Sequence, residues 1–437
     1  MPPWCQDRRA TSRRVFAILL GSMLHLRKLF KSIGPGVITG ASDDDPSGVI
    51  TYSQTGAQYG YRFLWLSFFT TPLMMAVQEM SARIGLVARQ GLGKVIRKHV
   101  SRRVAIVLAL GLLIVNTINI SADLNAMAEV MRLIVPGNTV IFLFGFAILI
   151  LVLEVTVSYA RYANVLKWLT VTLFSYVLVV FVTQQDWSAI AWHTFIPTLT
   201  GGKESWYLIT AILGTTISPY LFFWQASEEV EEESLLHKMK ERTQVAKQIS
   251  NMRRDTMIGM ILSNVVMFFI IVATAGTLHQ AGVTDITSAE QAASALRPIA
   301  GSFAFTLFAI GILGTGLLAI PVLAGSAAYA MAEVFSWPEG LGKKFRDARA
   351  FYITIGVAII GGAIATISGI NPIQFLILAA VLNGLLAPIM LWFIIRLADA
   401  PEVMGKHVSP RMVRWAGWFT CVLMTVSGIL TIAQFFR

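Results

Sequence analysis

The chain has 437 residues, 55% of them hydrophobic and only 14% charged, with a mean hydropathy of +0.66. That charge fraction is about half of a soluble domain's, which argues against a water-soluble fold and for a bundle of membrane helices. The formal net charge of +11 lies between apolar runs, so it marks a lipid surface and no nucleic-acid partner is expected. Cys5 and Cys421 are too few for a disulfide framework or a cysteine metal site.

Residues 1–29 read as a basic cytoplasmic tail with Arg8, Arg9, Arg13 and Arg14. The apolar patch from Val15 to Leu24 runs into Arg27, Lys28 and Lys31, where a signal peptide would have a small-residue cleavage site. Eleven apolar spans follow, near 30–58, 60–88, 104–134, 138–157, 163–184, 204–230, 253–279, 299–332, 348–368, 371–397 and 412–436. The first five form one repeat over 30–184, and an outer loop covers 185–203. A second repeat occupies 204–397, and residues 398–437 add a cytoplasmic loop and span 11.

With the N-terminus inside, the inner segments hold 29 of the 35 lysines and arginines. Such a bias sets the orientation of a multi-pass protein in the plasma membrane, the inner membrane of a bacterium. Span 1 then runs outward and span 6 inward, so the second five-helix repeat is inverted. Both spans are interrupted, at Gly40-Ala41-Ser42-Asp43-Asp44-Asp45-Pro46-Ser47-Gly48 and at Gly214-Thr215-Thr216-Ile217-Ser218-Pro219-Tyr220. Paired breaks in two inverted halves are the sequence mark of a midplane transport site. The expected fold class is therefore an all-α polytopic membrane protein with a 5+5 inverted repeat and broken helices 1 and 6.

An aspartate at a span centre costs about 2.5–3.5 kcal/mol, so Asp43, Asp44 and Asp45 should face protein or water. Unwound backbone at that depth lines a cavity, and the first half-helix ends there with its negative dipole end toward the gap. Carboxylates, free carbonyls and that dipole favour a cation. The facing break adds the hydroxyls of Thr215, Thr216 and Ser218 and carbonyls freed by Pro219. Every candidate ligand is oxygen, which suits Mg²⁺, Ca²⁺ or Mn²⁺ better than softer metals. The lining is small (Ser47, Gly48, Thr215, Ser218), consistent with an ion that keeps much of its water.

The motifs Gly34-Pro35-Gly36, Asp45-Pro46-Ser47-Gly48 and Gly56-Ala57 resemble the first helix of the Nramp divalent-metal transporters. Gln78-Glu79-Met80-Ser81-Ala82-Arg83-Ile84-Gly85 resembles their second helix, and the break at 214–220 their sixth. The resemblance implies a LeuT-like fold with eleven transmembrane helices and Asp45 as a metal ligand. It also shows departures. Gly48 stands for the metal-binding asparagine, Ser218 for the thioether-bearing methionine, Thr215 for an alanine, and Tyr220 and Gln225 for two histidines. Asp123 keeps an acidic position in helix 3, whereas Ala126 replaces a glutamate. These changes resemble the Nramp-related magnesium transporters, implying Mg²⁺ and Mn²⁺ transport without proton coupling.

The six histidines all lie at or beyond span ends, so no histidine relay crosses the membrane. Glu79, Asp123, Glu129 and Glu154 remain as carboxylates able to take a proton, each with a structural pair as the plainer reading. The run Glu228-Glu229-Val230-Glu231-Glu232-Glu233 reads as a solvated helix end or an acidic vestibule. Asn371-Pro372, Gln374, Asn383 and Pro388 make span 10 a possible wall of the site. No phosphate loop or metalloprotease signature is present, so an enzyme is not expected, nor is a cofactor. The partners expected are a divalent ion and the lipid bilayer, with the chain acting as a monomer.

Overall fold

The computed structural model describes residues 34–157, 173, 175–198, 203–238, 245–286, 289–301, 304–366 and 372–435. The basic tail, the first half of span 5 with Lys167, Arg161 before it, the loop at 199–202 and Asn371 lie outside the described residues. The first half contains α1 (Pro35–Asp43), α2 (Pro46–Tyr59), α3 (Leu64–Ala88), α4 (Leu92–His99), α5 (Arg102–Ile134), α6 (Thr139–Thr156), α7 (Ser175–Val182) and α8 (Trp187–Phe195). The second contains α9 (Lys203–Thr216), α10 (Pro219–Lys238), α11 (Val245–Thr274), α12 (Ala289–Ser294), α13 (Arg297–Ala300), α14 (Ala304–Phe335), α15 (Arg349–Ala365), α16 (Pro372–Asp399), α17 (Pro401–Met404) and α18 (Arg411–Phe435).

Among the described residues, seven helices are long and apolar enough to cross a bilayer, with α9 and α10 taken as one. The remaining predicted spans fall short for identifiable reasons. Span 1 is cut at its aspartates into α1 and α2, of 9 and 14 residues. The second half of α3 carries Gln78, Glu79 and Arg83. α15 has 17 residues, and only the second half of span 5, with the 8-residue α7, is described.

Two small-residue seams position the broken helices. Gly36 and Gly40, one turn apart on α1, face Gly259 of α11. A Cβ at Gly40 would fall 2.3 Å from the Gly259 carbonyl oxygen, so only glycine allows this approach. On the other broken helix, Gly214 lies against Ala380 and Gly384 of α16. Asn116 of α5 donates to the Leu323 carbonyl (2.8 Å) and the Ser326 hydroxyl (2.9 Å), tying α5 to α14. Outward, α18 exposes Met412, Trp415, Phe419, Val422, Val426 and Ile429. That three-to-four spacing is an apolar stripe for lipid, the reverse of a soluble helix.

Candidate metal site at the crossed breaks

Asp45 begins α2 as its N-cap, with proline next at the first helical position. Its Oδ1 accepts from the Gly48 amide and the Ser47 hydroxyl, both at 2.7 Å. Its Oδ2 accepts from Asn119 of α5 at 3.1 Å. The end of α9 meets this turn: a Cβ on Gly48 would sit 3.1 Å from Thr215 Oγ1 and 3.4 Å from Asp45 Oδ1. The start of α10 meets the end of α1, where Tyr220 donates its hydroxyl proton to the Ser42 carbonyl (3.1 Å). The two interruptions therefore cross, each half-helix end facing the other break.

Asp43 ends α1 and Asp44 caps it. Ser263 of α11 donates to Asp43 Oδ2 at 2.6 Å and reaches Asp44 Oδ1 at 3.3 Å. No carboxylate of the break is more than 4% exposed. Asp123, one turn beyond Asn119 on α5, is fully buried. Among the described residues, neither of its oxygens has a hydrogen-bond partner, nor do Asp43 Oδ1 and Asn119 Oδ1. The Ser47 backbone amide lies close enough to Asp123 to act on it electrostatically.

The structure thus brings Asp43, Asp44, Asp45, Gly48, Thr215, Tyr220 and Asp123 together. Thr216 and Ser218 belong to the same break, but their hydroxyl protons go to backbone carbonyls. Thr216 donates to Ile212 (2.8 Å), and Ser218 to Gly214 (2.7 Å) and Thr215 (2.9 Å), which leaves only lone pairs for a ligand. Gln225 turns away to Thr256 of α11 at 2.8 Å. Asn383 adjoins Gly384, which packs on Thr210 and Gly214, so α16 walls α9 just before its break; Asn383 Oδ1 has no partner among the described residues. Among the described residues, no three Asp, Glu, His or Cys side chains converge into a ready-made metal shell.

Sequence reading passed over Asn119, Ser263 and Tyr52, whose ring approaches Gly48. The signal for Asn119 was available: Asn116, Asn119 and Asp123 fall at i, i+3 and i+7, a polar stripe inside an apolar span. Of the other carboxylates, Glu79 pairs with Arg83 and with Arg253 (3.0 Å), and Glu129 lies 3.7 Å from Arg132. Glu154 has no partner on either oxygen among the described residues.

Solved structures share this architecture. The manganese transporter of Eremococcus coleocola, in complex with an aromatic bis-isothiourea substituted compound, superposes with a TM-score of 0.72 at 20% identity, over 94% of this chain and 87% of that one. A nucleobase-cation-symport-1 family transporter in a closed conformation gives 0.56 at 15% identity, over 92% and 91%. The protein is an all-α membrane transporter of LeuT-like fold. It belongs to the Nramp family, whose model, described as natural resistance-associated macrophage protein-like, matches residues 36–434. It is 23% identical over 445 residues to the divalent metal cation transporter MntH of Granulibacter bethesdensis, covering 99% of this chain and 95% of that protein. Against MntH of Bacillus subtilis the identity is 22% over 441 residues, covering 98% and 97%. These relatives are named as transporters, and the chain is no enzyme.

Proposed function

We propose that this chain carries divalent metal cations, Mg²⁺ together with Mn²⁺, into a bacterial cell across the inner membrane by alternating access around the crossed breaks. The observation that carries the reading is the group of buried oxygens without hydrogen-bond partners among the described residues: both of Asp123, Asp43 Oδ1 and Asn119 Oδ1. An unpaired carboxylate in a dry interior costs several kcal/mol. A cation that arrives and leaves is the complement such a group lacks. Oxygen donors from both breaks support a hard ion, as does a hydroxyl at Ser218 in the thioether position. Most of the Asp45 valence is spent on its own helix cap, which supports an ion that keeps several waters and takes few direct ligands.

In this reading the N-terminus is cytoplasmic, the chain works as a monomer, and no proton accompanies the metal. An interior-negative potential supplies about 2.3 kcal/mol per charge per 100 mV, hence about 4.6 for a divalent ion, enough for over a thousandfold accumulation. A second reading, a proton-coupled Mn²⁺ importer, is favoured by the manganese-transporter neighbour and by Glu154, a buried carboxylate free to take a proton. Purified protein in liposomes decides between them. Mg²⁺ uptake should vanish with Asp45→Ala, while an internal pH-sensitive dye registers no acidification during entry. Uptake unchanged in the variant would reject the site, and acidification in proportion to metal would select the second reading.

A further inference from the structure

The glutamates after the second break remain without a role in the site above. One polar seam leads to them. On α10, Tyr220 bonds to α1, Gln225 bonds to Thr256 of α11, and Glu229 follows a turn later within Coulombic range of Glu232 and Asp255. The seam opens into a cavity of about 350 Å³ lined by Gly34, Glu229, Glu232, Glu233, Arg254 and Asp255, among others. Two of its four carboxylates are engaged. Asp255 accepts from the amides of Gly34 (3.0 Å), Gly36 (2.7 Å) and Val37 (3.3 Å), capping α1, and Glu233 pairs with Arg89 at 2.8 Å. Glu229 has no cation beside it among the described residues: it lines the cavity, is only 4% exposed, and shares a hydrogen bond with Gln225, while its Oε1 is buried with no hydrogen-bond partner among the described residues.

We propose that this cavity is a second station for the transported ion, holding a hydrated divalent cation between Glu229 and Glu232 on the side that the lysine and arginine bias assigns to the cytoplasm. The proposal rests on the reading of the chain as a divalent-cation carrier. Because no three acidic side chains among the described residues converge on one point, the ion is held through its own water, as Mg²⁺ tolerates. Two carboxylates in a recess, neither in an ion pair among the described residues, concentrate divalent ions by focusing the field. Their position at the N-terminal end of α1 places the station where an ion leaving the break along the seam would next be met.

The test is equilibrium Mn²⁺ binding to the full-length protein in detergent, read as loss of the free-ion paramagnetic resonance signal, with Mg²⁺ as competitor. Wild type should take up two ions of different affinity. E229Q combined with E232Q should abolish the weaker one and leave the tighter, and D45A should do the reverse. A single ion in wild type, or two in E229Q/E232Q, overturns the second station. Loss in E229Q/E232Q with D45A unaltered keeps the station and refutes the break as the transport site. R254Q changes an exposed residue and guards against misfolding as an explanation. Removing that cation should tighten the weaker site about threefold, and an unaltered or weaker affinity also overturns the proposal.

Discussion

Glu79 on α3 and Asp123 on α5 are both carboxylates shut inside the bundle, 6% and 0% exposed. Glu79 receives two arginines: Arg83 from its own helix, and Arg253 of α11, whose Nε and a terminal nitrogen donate at 3.0 Å. Asp123 receives none among the described residues. A buried charge whose counter-ion is part of the chain acts as a fastener between helices. One whose counter-ion is missing destabilises the empty protein and is useful only when something else supplies the charge.

The largest effect expected from this contrast is on the fastener. Glu79→Gln leaves Arg83 without its partner in a buried setting and should cost about 3–5 kcal/mol, seen as a lower unfolding temperature in detergent. A variant as stable as wild type would erase the distinction. Asp123→Asn should do the opposite: unfolding temperature unchanged or raised, with metal uptake falling by about tenfold or more, the scale for losing a group that supports a metal site. Lower stability with normal uptake would make Asp123 a structural residue.

A smaller shift is expected from the second break. Ser218→Met places a thioether beside the oxygens and should move preference toward Mn²⁺ or Cd²⁺ over Mg²⁺ by roughly tenfold. Competition uptake assays would show it, and an unmoved preference would remove α10 from the selectivity wall.

The mildest case lies between the two extremes. Glu339, in the loop after α14, is pushed up to about 7 by burial, with Lys94 and Lys343 pulling it down and Glu231 pushing it up. Its folded value exceeds the ordinary 4.5, so the folded protein holds the proton longer than the unfolded chain does. Stability from this group is therefore present at low pH and declines as pH rises from about 4.5 through 7. Glu339→Gln should flatten the unfolding temperature across that window, and an identical slope in the variant would show that other groups set it.

The acidic break itself illustrates how far the sequence carries. Asp43 to Asp45, Pro46 and Gly48 announced unwound backbone at mid-depth, and Thr215 to Pro219 announced its counterpart, because each is a local violation of an apolar span. The motif Asp45-Pro46 also contained a readable helix start, which explains why Asp45 is part cap and part candidate ligand. That the hydroxyl protons of Thr216 and Ser218 serve backbone carbonyls was not legible, since it depends on rotamers within the half-helix.

Lipid makes the rest of the division intelligible. A bilayer requires every span to satisfy its own backbone, so length, apolarity, interruption and the placement of lysine and arginine are local quantities, and the primary structure alone fixes where helices run and where they fail. The partners of the buried acids are not local. Asn119 reaches Asp45 across 74 positions, Ser263 reaches Asp43 across 220, and Asp255 caps α1 across 221. Which carboxylate is satisfied and which is left for an ion follows from how α1, α5, α10 and α11 pack, and only the folded bundle decides it.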